Sequence, residues 1–150
     1  MSRTVVLDTG VIAEYIDLSG TLHQQAEAII ESVRLGKLTA IITHPTLAET
    51  YHVSLRIYEK LGLAESERRS QELVTWLYSS PNFKIAEPTL RLAILAGQIK
   101  TNFQVALTDA YVIAASQIYN GKPLFRKRES EKAKNISRLK KDYDILFLED

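Results

Sequence analysis

The stretch Val5-Val6-Leu7-Asp8-Thr9-Gly10 runs from an apolar segment straight into an acid and then a glycine. A short run that is apolar throughout, rather than alternating, suits a strand buried on both faces, as a parallel sheet requires. Four further segments read the same way: Leu38 to Thr43, Phe83 to Ala86, Pro123-Leu124-Phe125, and Ile145-Leu146-Phe147-Leu148. Longer stretches with helical spacing lie between them. Leu22, Ala26, Ile29, Ile30 and Val33 fall on one face, with Gly36 as the stop. Pro45 opens a helix to Leu61 that Gly62 can end, and Glu65 to Tyr78, Pro88 to Lys100, Asp109 to Tyr119 and the basic residues 127 to 141 predict four more. Strands alternating with helices predict a three-layer α/β/α fold around a central, mainly parallel sheet of about five strands. The ligand site of such a sheet lies beyond the carboxyl ends of its strands, which is where Asp8 stands.

The chain has 150 residues, 45% of them apolar and 25% charged, the balance of a globular protein of one domain spanning residues 1 to 150. With no cysteine, neither a disulfide framework nor a thiolate zinc site nor a cysteine nucleophile exists, so any metal binds through oxygen or nitrogen. No apolar run approaches the roughly 18 residues of a membrane span, and Met1-Ser2-Arg3-Thr4 leads straight into a short apolar run, the first strand being Thr4 to Leu7, so a cytoplasmic location without membrane attachment is expected. The net charge of +1 hides an asymmetry: nine basic residues against two acids, Glu129 and Glu131, lie between Lys122 and Lys141. A polyanion can be read locally there.

Three acids fall at the expected working edge. Asp8 ends the first strand, Glu49 follows Pro45 near the start of the helix after the second, and Asp109 precedes the apolar Ala110-Tyr111-Val112-Ile113-Ala114-Ala115. Each has a plain alternative: Asp8 a helix cap or turn, Glu49 an acid favoured by the positive end of a helix dipole, Asp109 (or Thr108) the cap of its helix. Taken together they point to chemistry, because the sheet would bring all three loops to neighbouring places. Carboxylates gathered at one place repel one another unless a cation neutralises them. Oxygen ligands select a hard ion, Mg²⁺ or Mn²⁺, which polarises a phosphoryl group and activates water, as hydrolysis of a nucleic acid needs.

Val-Val-Leu-Asp-Thr-Gly-Val-Ile (5 to 12), Leu-Ala-Glu (47 to 49) and Leu-Thr-Asp-Ala-Tyr-Val-Ile-Ala-Ala (107 to 115) resemble, in order and spacing, the three main acidic motifs of PIN domains. The resemblance spans nearly the whole chain, and the size is similar to that of the single-domain VapC-type toxins of toxin–antitoxin pairs. It implies a metal-dependent endoribonuclease in which Asp8, Glu49 and Asp109 hold Mg²⁺ or Mn²⁺, with the Thr9 hydroxyl beside the site. It also implies an RNA substrate, a homodimer and an antitoxin partner that covers the acidic groove. The helices from Leu47 to Tyr78 are the candidate partner surface. PIN domains often carry a fourth acid after the fourth strand in a Thr-x-Asp context. Here that place reads Leu124-Phe125-Arg126-Lys127-Arg128-Glu129, with Glu129 one position late as a further candidate ligand and Glu131 beyond it. Many members also carry Ser or Asn where Gly10 stands. A PIN-fold RNA-binding or regulatory protein that has lost cleavage is the alternative that the displaced acid leaves open.

Arg126, Lys127 and Arg128 directly follow a strand at the same edge as the acids, where they can grip phosphates, although a solvated helix face explains the basic stretch equally well. His23, His44 and His52 have no i,i+4 partner among themselves and read as ordinary helix or loop histidines, His44 alone lying at the working edge. Leu73, Trp76 and Tyr78 read as core or partner surface. An aspartic protease is excluded by the helical content. A receiver domain fails because Glu87-Pro88 follows the third strand, and a haloacid-dehalogenase-type phosphatase fails because Asp8-Thr9-Gly10 lacks a second acid.

Overall fold

A computed structural model describes residues 3–127 and 136–150, without the side chains of residues 136, 137 and 140. The strands are β1 (Arg3–Leu7), β2 (Leu38–Ile42), β3 (Phe83–Ile85), β4 (Lys122–Phe125) and β5 (Leu146–Phe147). They form one sheet in the order β3-β2-β1-β4-β5, every pair parallel. All five strands lie where the apolar runs predict them. The described helices are α1 (Thr9–Ile16), α2 (His23–Arg34), α3 (His44–Lys60), α4 (Ser66–Ser79), α5 (Leu90–Phe103), α6 (Leu107–Ile118) and α7 (Ile136–Tyr143). Among the described residues, no helix is long and apolar enough to cross a membrane.

Alternation along each strand divides the core into two layers. Val5 and Leu7, Ala40 and Ile42, and Leu124 face one side, where they meet Val11 and Ile12 of α1, Ala26, Ile30 and Val33 of α2, and Leu73 and Leu77 of α4. Val6, Ile41, Phe125 and Phe147 face the other side, against α5, α6 and Leu139 of α7. Trp76, half-buried, packs against the first layer, stacked on Tyr15 and edge-on to Phe83. Helix α6 buries seven of its twelve residues, including Asp109, which explains its apolar sequence.

Helix ends follow local chemistry. Gly36 and Gly62 adopt φ of +76° and +71° directly after the ends of α2 and α3, the left-handed stop that glycine takes without a Cβ penalty. Thr43 caps α3: its buried hydroxyl accepts from the Thr46 N–H at 3.3 Å and donates to Thr46 Oγ1 at 3.1 Å. Thr43→Ala should therefore lower stability by about 1 kcal/mol, read as a shifted denaturant midpoint; an unchanged midpoint would show that the cap contributes nothing.

Two features differ from the sequence expectation. Helix α1 was not expected, because eight residues are too few for a clear period. Helix α6 begins at Leu107 behind Ala106, so neither Thr108 nor Asp109 caps it; Asp109 lies inside the first turn, where the dipole favours an acid. The predicted basic helix 127–141 lies partly outside the described residues, which show α7 from Ile136.

Candidate functional site

The strand order places β1 and β4 side by side at the centre, with the chain continuing from β1 toward β2 on one side and β4 lying on the other. This is the switch point at which an open parallel sheet leaves a crevice beyond its carboxyl edge. Asp8 and Arg126 are the first residues past those two strands. The Asp8 N–H extends the ladder by donating to the Leu124 carbonyl at 3.0 Å, while its Oδ2 accepts from the Gly10 N–H at 3.2 Å and so caps α1. Capping and site membership are compatible in one carboxylate, which has a second oxygen.

Asp8 and Asp109 are both buried, at 9% and 7% exposure. Their elements touch: α6 packs on β1 and β4, and α3 packs against both α1 and α6. Glu49 lies on α3, half-buried, six residues beyond the cap. Beside two of the acids are buried hydroxyls, Thr9 Oγ1 and Thr50 Oγ1, that have no hydrogen-bond partner among the described residues. An orphaned buried hydroxyl marks the place of a partner such as a water or an ion. The three elements thus meet at one edge, yet among the described residues no group of three or more His, Asp or Glu side chains could hold a metal ion. The donor set fits a hard cation in kind, being all oxygen, and is incomplete in number as the side chains stand.

Arg126 is only partly open to solvent and is already paired. Its Nε pairs with Glu14 Oε1 on α1, and its side chain is 30% exposed against 6% for Glu14. Glu14 is the functional candidate that sequence reasoning missed; an acid within Val11-Ile12-Ala13-Glu14-Tyr15-Ile16 was the available signal. Lys127 is exposed, whereas Arg128, Glu129 and Glu131 lie outside the described residues. Farther along, Arg138 stacks over the Phe103 ring at 4.8 Å, and Lys122, at the amino end of β4, pairs with Asp144 at 3.0 Å. Part of the basic stretch is therefore engaged in contacts within the fold.

Two of the histidines have partners within the fold. His23 Nδ1 contacts the Glu14 carbonyl at 2.8 Å and its Nε2 lies 3.3 Å from Glu27, while His44 sits edge-on to Tyr78.

The PIN domain family model matches residues 5–139, from the first strand into α7. The chain belongs to the PIN domain family. Solved structures share this PIN fold. Mycobacterium tuberculosis VapC20, described as a sarcin-ricin loop cleaving toxin, superposes with a TM-score of 0.63 at 14% identity, over 79% of this chain and 86% of that one. VapBC2 from Rickettsia felis, bound to a DNA fragment from its promoter, gives 0.63 at 11% identity over 97% of each chain. FitAcB from Neisseria gonorrhoeae gives 0.58 at 18% identity over 95% of each. At such identities the likeness is one of fold. No curated protein matches this PIN domain in sequence.

Proposed function

We propose that this PIN domain is a metal-dependent endoribonuclease, the toxin of a VapC-type toxin–antitoxin pair. The observation that carries the reading is the pair of buried acids, Asp8 and Asp109, on touching elements beyond the carboxyl edge at the β1/β4 switch point. Membership of the family and the fold shared with VapC-type toxins support it. Asp8 and Asp109, with Glu49 joining from α3, are the residues that would hold Mg²⁺ or Mn²⁺; Glu129 is a further candidate. A divalent ion bound there supplies Lewis acidity toward a phosphodiester. The chain's own groups do the rest: Thr9 donates a hydroxyl beside Asp8, and the cations after β4 face the RNA backbone.

A second reading, a PIN-fold RNA-binding regulator without cleavage, is favoured by the incomplete acid cluster among the described residues and by Arg126 standing after β4. Purified protein should cleave single-stranded RNA when Mg²⁺ or Mn²⁺ is supplied and stop on chelation. RNA that is bound but left whole with either ion decides for the regulator.

An antitoxin is the proposed partner, since solved toxin–antitoxin complexes share the fold. Tyr51, Leu61, Leu63 and Tyr78, all exposed on or beside α3 and α4, supply apolar surface for it or for a second copy of the chain in a homodimer.

A further inference from the structure

The Glu14–Arg126 pair is more elaborately housed than a surface ion pair. Glu14 is only 5% exposed, and its second oxygen, Oε2, accepts from the Leu22 N–H at 3.2 Å. A Cβ at Gly20 would overlap that same Oε2, so the turn after α1 is shaped around the carboxylate. At the other end, a Cβ at Gly10 would stand 2.8 Å from Arg126 Cβ and 3.2 Å from Asp8 Oδ2. The missing side chain at position 10 is what lets Arg126 cross the first turn of α1 beside Asp8 and reach Glu14. Two glycines and a backbone N–H are thus fitted to one carboxylate and one guanidinium that lie 112 residues apart in the chain.

A guanidinium carries five N–H donors in a rigid fork, and Glu14 engages the Nε. The other four have no hydrogen-bond partner among the described residues, and the side chain is partly open to solvent. Since Glu14 is sealed from water, its hold on Nε fixes the plane of the fork beside the first turn of α1.

Resting on the ribonuclease reading, we infer that Glu14 is a positioning residue for Arg126, and that Arg126 so held makes a forked contact to an RNA phosphate next to Asp8. A fork bridges a carboxylate and a phosphate at once, which a lysine ammonium, a point charge, does less well.

Binding of a fluorescent single-stranded RNA, measured in EDTA so that no cleavage occurs, tests this. At about 0.3 M salt, screening over ~6 Å suppresses the long-range gain from deleting a sheltered anion, so geometry decides the sign. Arg126→Ala should weaken binding about tenfold and lower the slope of log Kd against log salt by about 0.7, one phosphate contact on a single strand. Arg126→Lys, which keeps the charge and a partner for Glu14, should keep the slope and still lose several-fold in affinity; it also covers the case in which the alanine variant fails to fold. Glu14→Gln should weaken binding in the natural background and leave it unchanged on Arg126→Lys, the mark of action through the guanidinium fork. Wild-type affinity in both Arg126 variants, or an equal Glu14→Gln effect on either background, overturns the inference while RNA cleavage by the unaltered protein stands. No RNA binding by the unaltered protein overturns the inference; no RNA cleavage by it with Mg²⁺ or Mn²⁺ supplied removes the ribonuclease reading itself.

Discussion

Asp8→Asn is expected to reduce RNA cleavage by about 100-fold or more while leaving the protein folded. Replacing a carboxylate by its neutral isostere removes the charge that, on the proposed function, would hold a divalent ion, and charge stabilisation of several kcal/mol corresponds to two or more factors of ten in rate. The substitution separates chemistry from architecture because asparagine caps helices as well as aspartate does. The amide oxygen can still accept from the Gly10 N–H, and the backbone bond to Leu124 does not involve the side chain. Single-turnover cleavage with saturating Mn²⁺ and a thermal melt should be recorded together. A lost rate with an unchanged melting temperature supports the site; a rate within a few-fold of the natural protein would remove Asp8 from it. The same mutant also excludes a contaminating nuclease.

How much of this was legible beforehand depended on where each interaction lies along the chain. All five strands were legible, because burial on both faces leaves runs such as Val5-Val6-Leu7 and Ala40-Ile41-Ile42 with no polar interruption. The meeting of the residues after β1 and β4 was legible too, since the topology of a parallel sheet sends them to one edge. Helix α1 was not, because its eight residues span barely two turns and the cap that announces it is Asp8, whose acid invited a chemical reading. The start of α6 was misplaced for a related reason: Ala106 offers no side-chain cap, so the nearest capping residues, Thr108 and Asp109, drew the boundary inward. Glu14 was illegible as a site residue because its meaning is its partner. Nothing local tells an acid on a short amphipathic segment that an arginine from the far end of the chain will cross Gly10 to meet it. The basic residues from Lys122 onward divide by position: strand direction sends Lys122 to the opposite edge from Arg126, and Arg138 lies on an aromatic ring.

Phe125→Ala is expected to produce the largest loss of stability, about 3–5 kcal/mol, or a fall in melting temperature of about 6–20 °C. Phe125 is fully buried as the last residue of β4, its ring centroid 6.2 Å from that of Phe147 on the neighbouring strand, in the layer that α6 fills. Truncation leaves a cavity between two strands and a helix, which a close-packed interior relaxes into only partly. A protein of this size has about 5–15 kcal/mol in all, so the variant stands near the edge of folding. Leu18→Ala is the matched control: the same kind of apolar truncation at a residue 82% exposed should change stability by less than about 0.5 kcal/mol. The cost should also reach the site ahead of global melting. Leu124 accepts from the Asp8 N–H and Arg126 follows Phe125 directly, so a loosened β4 end releases both of the groups that flank the crevice. RNA affinity of Phe125→Ala should therefore fall at temperatures below its own unfolding transition. A variant that binds RNA normally up to the onset of melting would show that the carboxyl end of β4 does not set the geometry of the site.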